Sequence, residues 1–413
     1  MDTRELSSTA RDRRRVVIVL GLAPVVFGLG GFPGLSARQF TESDLQDLLI
    51  NLPANTKKVV IPRGHYVLSK PLVINNSGLE VAAEPGTSMA LKDRYDAIIY
   101  LHDCDSVSIS GLELIADNAS SSAVALVRCS SIKLSDIKVS NFSASGLHFS
   151  DSHDCTVSYC NFKNALVDRR WGMPKSTDIM IEGSNERIRI EKTIHESGGG
   201  YGVAIRTNKS GEVSRGHTIA GVAISKYNSY GIMLYRNGPY FSGDEQKVEG
   251  IAVTNNDISY ISGGRPANFN RPERLDFGAG IYLQGAENCI VSNNTLKFTN
   301  QNTNTELLSP GAIGLANTGS CIIKDNVISN GEYGIYINDS LHKGNPLGAV
   351  EISGNKFSDI EKNPIKIVAK NNLHIHDNQY SRSPVPFINT SAGHTGQPVK
   401  NVELRSNIEI PGS

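Results

Sequence analysis

Four segments decide the fold: Cys289-Ile290-Val291-Ser292-Asn293-Asn294-Thr295-Leu296, Cys321-Ile322-Ile323-Lys324-Asp325-Asn326-Val327-Ile328, Val350-Glu351-Ile352-Ser353-Gly354-Asn355-Lys356-Phe357 and Leu373-His374-Ile375-His376-Asp377-Asn378-Gln379-Tyr380. Val253-Thr254-Asn255-Asn256-Asp257-Ile258 follows the same pattern. Each reads as a short alternating strand that ends at an Asn, with an apolar residue two positions on. A second strand recurs beside them: Gly146-Leu147-His148-Phe149, Gly202-Val203-Ala204-Ile205, Gly231-Ile232-Met233-Leu234, Gly280-Ile281-Tyr282-Leu283 and Gly334-Ile335-Tyr336-Ile337. Self-similarity at a few tens of residues is the mark of a solenoid. Successive strand side chains point to opposite faces. In each Gly-Ile-x-Leu segment the Ile and Leu therefore face inward and the x residue outward. One coil cannot bury its apolar face alone, so neighbouring coils must stack into a continuous core. Asn suits the turn because it tolerates a left-handed backbone. Stacked Asn amides can also bond to one another as a ladder.

This combination resembles the right-handed parallel β-helix of the pectate-lyase-like superfamily, from about residue 59 to residue 410. The resemblance implies an all-β, single-stranded right-handed solenoid with a short N-terminal capping helix. Residues 41–50 fit that cap, with Thr41 or Ser43 as N-cap, acids in the first turn and an apolar face behind. A cap is also expected physically, because an open solenoid end exposes a row of unpaired backbone groups. The expected organisation is an export signal or membrane anchor over residues 1–37, the cap over 38–58 and the β-helix over 59–413.

Bulk composition agrees. Among 413 residues there are 39 Gly and one Trp, and no long stretch shows helical apolar spacing. Lys+Arg and Asp+Glu balance at 41 each, which leaves no global charge to attract nucleic acid. Arg11 to Arg15 runs straight into an uncharged apolar stretch ending near Ser36-Ala37. That reads as an export signal, loosely of twin-arginine type, and places the mature chain in the periplasm or outside the cell. An uncleaved anchor is the alternative, weakened by Pro24, Pro33 and several Gly. No later segment could cross a bilayer, so no membrane contact is expected once the signal is removed. The six cysteines have no zinc-site spacing. They read as small buried side chains, with Cys104 near Cys129 and Cys289 near Cys321 on successive coils; disulfides across coils are the alternative.

Function has to be sought where the repeat swells. The spacing is 23 residues from Asn355 to Asn378 but 38 from Asn256 to Asn294. Insertions at residues 163–177, 259–279 and 297–311 fall between the Asn turn and the second strand, and residues 235–247 follow it on the other side. Loops on both flanks of one sheet would wall a groove, which resembles how β-helix enzymes hold a polysaccharide. The loops carry Arg169, Arg170 and Trp171, then Arg265 and Arg271. Arg forks suit carboxylates and flat aromatic rings suit sugars, so these five are candidate substrate-binding residues. Solvated loops with no ligand are the plainer reading.

Alternation also supplies the groove floor. One outward row reads Ser150, Glu182, Arg206, Tyr235, Gln284, Ala316, Asn338 and Val368, with Arg236 beside it. A second reads His148, Met180, Ala204, Met233, Tyr282, Gly314, Tyr336 and Lys366. Glu182, Arg206, Tyr235, Arg236 and Gln284 are the candidate catalytic residues, with His148 and Tyr282 flanking as substrate contacts.

β-Elimination from a uronate needs a cation on the carboxylate, a base for the C5 proton and a donor to the leaving oxygen. Arg206 or Arg236 with Tyr235 would meet that need, helped by Gln284 and His148. C5-epimerisation uses the same parts. Hydrolysis needs two flanking carboxyl groups, and no close Asp pair or Gly-His-Gly segment is present. Asp151-Ser152-His153-Asp154 resembles the Asp-Pro-His-Asp stretch of mannuronan epimerases, but Ser152 replaces the Pro and the position is that of a turn. No cofactor is expected. Glu182, Asp178 and Asp276 are the acids a Ca²⁺ ion would use. The reading is an exported protein acting on an acidic polysaccharide as a lyase or epimerase. A non-catalytic exopolysaccharide-binding β-helix and a glycoside hydrolase or transglycosidase stand as alternatives. The sequence sets no oligomeric state.

Overall fold

Each coil is built from three strands, where the sequence suggests two. The apolar residue two positions past the Asn is the centre of a strand of its own. In Thr295–Lys297, Leu296 is buried between two outward neighbours. The computed structural model describes residues 56–410 apart from 117–119, 166–175, 228, 237–245, 262–277, 298–310, 339–347, 370, 384–386 and 391–399, together with Glu42, Asp44, Leu45 and Leu52.

Sheet A holds thirteen strands, from Lys58–Ile61 to Lys400–Arg405. Sheet B also holds thirteen, from His65–Leu68 to Ile408–Glu409, and sheet C twelve, from Leu72–Ile74 to Ile388–Thr390. A fourth, three-stranded sheet of Val213–Arg215, Lys247–Glu249 and Ala286–Glu287 thickens the turn from C to A in the middle coils. Strands pair in parallel with their counterparts one coil away. At roughly 4.8 Å per coil, the thirteen strands of sheet A extend about 58 Å.

The core is a set of apolar columns. In sheet C, Leu147, Ile179, Val203, Ile232 and Ile281 stack directly upon one another, as do Phe149, Ile181, Ile205, Leu234 and Leu283. All ten are fully buried. At the N-terminal end, Glu42, Asp44 and Leu45 carry helical backbone. Leu45 is buried in the core, and the Glu42 carboxylate accepts from the Ser69 hydroxyl at 2.6 Å. The rest of the expected cap and residues 1–37 lie outside the described residues. Among the described residues no helix is long and apolar enough to cross a membrane.

The asparagine ladder is present. The Nδ2 of Asn256 donates to Oδ1 of Asn294, which repeats the bond to Asn326, then Asn355, then Asn378, then Asn407, at 2.9–3.0 Å. Each Oδ1 also accepts the backbone N–H of the preceding rung, as from Asn294 to Asn326 at 3.0 Å. The left-handed backbone, however, belongs to the residue before each rung. Asn255, Asn293, Asp325, Gly354 and Asp377 have φ between 55 and 65. The positive φ makes the corner, and the following Asn is free to point its amide inward. In earlier coils the ladder column is filled by Leu112, Ile137, Cys160, Thr193 and Val222, and the stack needs no amide there.

The glycine that recurs near the start of five sheet C strands also has a physical reason. A Cβ at Gly231 would lie 2.6 Å from the Gly280 carbonyl and 2.9 Å from Ile258, and one at Gly334 only 2.6 Å from the Phe357 ring. Apolar residues such as Ala123 and Ala312 take the glycine position in other coils, but in one coil the charged Asp178 stands there. Sheet B compensates. There His195 stands between Phe162 and Ile224, where the neighbours are apolar. His195 Nδ1 is 2.7 Å from Asp178 Oδ2, and the Tyr227 hydroxyl donates to the same oxygen. Thr193 Oγ1 holds the far nitrogen of His195 at 2.8 Å, and all four residues are essentially fully buried. Gly198 makes room for the Tyr227 ring, since a Cβ there would sit 1.9 Å from it. Desolvation pushes the Asp178 carboxyl up against the opposing pull of His195 and Tyr227. A second core histidine, His217, accepts the Ile188 N–H at 3.1 Å, and burial pushes it down to about 3, so it stays neutral.

All six cysteines are buried and none is in a disulfide. Cys104 and Cys129 stack with sulfurs 3.5 Å apart, and Cys289 and Cys321 occupy successive coils of another column. Sheet C also corrects one register. A bulge after Ile337 sets Asn338 against Ala369, so Val368 does not continue the outer row.

The ladder yields a graded expectation. Asn326→Ala strips partners from two buried rungs and should cost about 3 kcal/mol, since each orphaned buried group costs roughly 1–3 kcal/mol. Asn407→Ala, at the half-buried last rung, should cost about 1 kcal/mol or less. Urea-unfolding midpoints of the two variants measure the difference, and equal midpoints would contradict a ladder that carries stability.

Candidate functional site

A groove of about 670 Å³ runs over the outer face of sheet C, from the strand Tyr95–His102 to Tyr230–Arg236. The described chain on either side of residues 166–175, 262–277 and 298–310 leaves sheet B and enters sheet C, so these insertions join the sheet at one edge. Residues 237–245 follow sheet C at its opposite edge. The insertions themselves lie outside the described residues. Arg169, Arg170, Trp171, Arg265 and Arg271 all lie outside the described residues.

The two outward rows are as alternation requires. Ser150, Glu182, Arg206, Tyr235, Gln284 and Ala316 are successive register partners, and so are His148, Met180, Ala204, Met233, Tyr282 and Gly314. The groove gathers four of the seven floor candidates. Arg206 Nη2 is 2.8 Å from Glu182 Oε1, and Nη1 donates to the Tyr235 hydroxyl at 3.2 Å. His148 Nε2 stands 3.3 Å from Glu182 Oε2, and Asn208 donates its amide to Oε1. His148, Glu182 and Arg206 are each about one quarter to one third exposed, at 33%, 25% and 29%.

This packing sets the charges. The His148 imidazole foremost, then Arg206, outweigh partial burial and hold the Glu182 carboxyl down to about 2. Burial works to lower Arg206, but the Tyr235 oxygen and Glu182 prevail and its guanidinium is pushed up, so it stays charged. One donor on the floor has no acceptor, because Arg206 Nε is buried and unbonded. His148 Nε2, close to Glu182, is likewise not aligned for a hydrogen bond.

The other three floor candidates are placed differently. Arg236 alternates inward from Tyr235. It is 8% exposed, packs over Gly285 and donates to the Gln246 carbonyl at 3.2 Å. Gln284 follows Tyr235 in the row but lies beyond the groove lining. Tyr282 is the far end of a stack in which Tyr230 lies 5.2 Å from it and 5.7 Å from Tyr201, and Tyr201 is the member that lines the groove. Of the three acids considered for Ca²⁺, the two described ones point apart. Asp178 points into the core, Glu182 points out to Arg206, and Asp276 lies outside the described residues. Among the described residues no cluster of three or more His, Cys, Asp or Glu is arranged to hold a metal ion.

Asp151 to Asp154 forms the turn from sheet C to sheet A. Asp151 and Asp154 have φ of 51 and 56, Ser152 is buried, and Asp154 takes a two-pronged ion pair from Arg187 at 2.7 and 2.8 Å. The sequence reading missed the N-terminal half of the groove, lined by Asp96, Tyr100, Ser122 and Ser145. Tyr100 belongs to the His148 row through Ala125, so carrying that row two coils back would have found it.

Comparison with curated proteins finds no match to this sequence. Solved structures are similar in fold at low identity. The A-module of mannuronan C-5 epimerase AlgE6 from Azotobacter vinelandii matches at TM-score 0.59 and 11% identity, over 90% of this chain and 96% of its own. The catalytic unit of a GH87 α-1,3-glucanase from Streptomyces thermodiastaticus matches at 0.63 and 14%, over 90% and 66%. PfbA, a surface adhesin of Streptococcus pneumoniae, matches at 0.57 and 10%, over 84% and 88%. The family described as the right-handed beta helix region matches residues 91–245 and 213–380. With the parallel register and the asparagine ladder, this shows that the chain belongs to the right-handed parallel β-helix family.

Proposed function

We propose that the chain is an exported enzyme acting on a uronate-containing polysaccharide in the groove of sheet C, by β-elimination or C5-epimerisation. The observation that carries this reading is Arg206. Its guanidinium is fixed by Glu182, lines the groove and donates to Tyr235. A cation held this way can neutralise a uronate carboxylate and so acidify the adjacent C5–H. His148 and Tyr235 stand on opposite sides of the Glu182–Arg206 pair along the stack. His148, in its uncharged form, takes the C5 proton through the ring nitrogen that does not face Glu182. Tyr235 accepts from Arg206, which leaves its own O–H free to donate. In elimination the C5–H electrons form the C4=C5 bond, the C4–O4 bond breaks and O4 takes the Tyr235 proton. In epimerisation no C–O bond breaks: His148 keeps the abstracted proton and the Tyr235 proton is added to the opposite face of C5. Epimerase and glucanase are among the proteins of similar fold, which suits a polysaccharide ligand.

Hydrolysis fits these residues less well. The groove carboxylates are Asp96 and Glu182. They lie three coils apart, about 14 Å along the stack and farther along the strand. Paired glycosidase carboxylates stand within about 9.5 Å. Glu182, held to about 2, also has no proton to give near neutral pH.

Incubation with alginate, pectate and glycosaminoglycans tests the proposal, read by ultraviolet absorbance of unsaturated uronates and by solvent deuterium entering C5. On the responsive polymer, Arg206→Ala should lose about 100-fold or more in kcat/KM, as for other lost charge-stabilising donors. Tyr235→Phe should lose about 100-fold or more in kcat with KM little changed. Binding without either signal would identify a non-catalytic polysaccharide groove instead.

Glu182 supplies a pH-dependent test. Its folded value of about 2 lies below the ordinary 4.5, so its contribution to stability is present above 4.5 and lost as pH falls toward 2. The stability difference between wild type and Glu182→Gln should therefore be constant near neutrality and vanish by about pH 2. A difference independent of pH would contradict the ion pair.

A further inference from the structure

The two ends of the groove differ in charge. At the Arg206 end a cation faces the ligand. At the other end Asp96 is exposed and makes no ion pair among the described residues, and it stands beside Tyr100, Ser122 and Ser145. Tyr100 is half-buried and stacks on His102 with centroids 5.9 Å apart, which braces its ring. Ala125 and Met180 leave the floor between Tyr100 and Glu182 free of charge, apart from His148. Among the described groove residues Arg206 is the one fixed cation, and it is already paired with Glu182.

We propose that Asp96 and Tyr100 form a neutral-sugar subsite, so that the preferred polymer carries isolated uronates separated by uncharged sugars. This rests on the function proposed above and names its substrate class. Tyr100 lies three coils, about 14 Å, from the coil of Glu182, a few pyranose units from the reacting ring. A sugar there places its apolar face on Tyr100 and its hydroxyls within reach of Asp96, Ser122 and Ser145. A carboxylate acts as acceptor only, so it rewards hydroxyl donors. A second uronate near Asp96 would instead set like charges together, and at that end no residue lining the groove carries a fixed positive charge.

The test compares two polymers on the full chain, a homopolyuronate and a copolymer in which neutral hexoses alternate with uronates. Wild type should favour the copolymer by about 10-fold or more in kcat/KM. Asp96→Asn should narrow the gap from both sides, raising the homopolymer rate about threefold or more and lowering the copolymer rate. Tyr100→Ala should raise KM on the copolymer with kcat nearly unchanged, while Tyr100→Phe keeps wild-type behaviour. Preference for the homopolymer, or equal effects of Asp96→Asn on both polymers, would overturn the subsite. Should neither polymer react, the catalytic reading fails by itself, and calorimetric titration with a neutral oligosaccharide still decides the subsite. Binding lost in Tyr100→Ala supports it, and no binding, or binding unchanged in that variant, overturns it.

Discussion

Parallel stacking in register places each residue directly on its counterpart one coil away, so the environment of a side chain is set largely by residues distant in sequence but fixed in spacing. Every main feature of the molecule follows from this constraint. Apolar columns make the core because like lies on like. A polar residue is tolerated inside only where its column, or a facing column, supplies a partner. An outward residue finds its reactive neighbours one coil up or down, as Glu182, Arg206 and Tyr235 do.

The asparagine ladder and the Asp178 cluster are two solutions to the same problem. In the ladder, identical amides satisfy one another, because an amide both donates and accepts. A carboxylate is acceptor only and cannot ladder with itself, so Asp178 draws on different residues from sheet B, His195 and Tyr227. Room for them comes from exchanges in two columns. His195 takes a position held by Phe162 and Ile224 in the flanking coils, and Gly198 gives way to the Tyr227 ring. Buried polar groups survive here because the compensation is local and within one coil of the charge.

Much of this was legible beforehand. Alternation identified both outward rows of sheet C, and coil spacing identified the flanks on which insertions enter. The strand following each Asn was hidden because three residues are too few to display a period. The left-handed residue was placed one position late, since Asn-Asn at 255–256 and 293–294 offers two candidates and Asp325-Asn326 offers two that tolerate positive φ. Asp178 was visible as a departure from the Gly-Ile-x-Leu pattern, but its meaning required knowing that His195 and Tyr227 face it. Arg236 shows the opposite limit. It neighbours Tyr235 in sequence, yet alternation turns it away from the groove and onto Gly285.

The amino-acid sequence by itself determined the repeat, the inward and outward sense of each strand and the rungs of the ladder, because these depend on a period of two and on recurrence along one chain. Only the tertiary structure decided that His148, Glu182, Arg206 and Tyr235 form one contact chain, that Glu182 is held ionised, and that the groove continues to Asp96 and Tyr100. Those outcomes depend on which side chains reach across a coil spacing of roughly 5 Å and how deeply each is buried. Neither quantity is carried by a period; both arise only when the coils are closed upon one another.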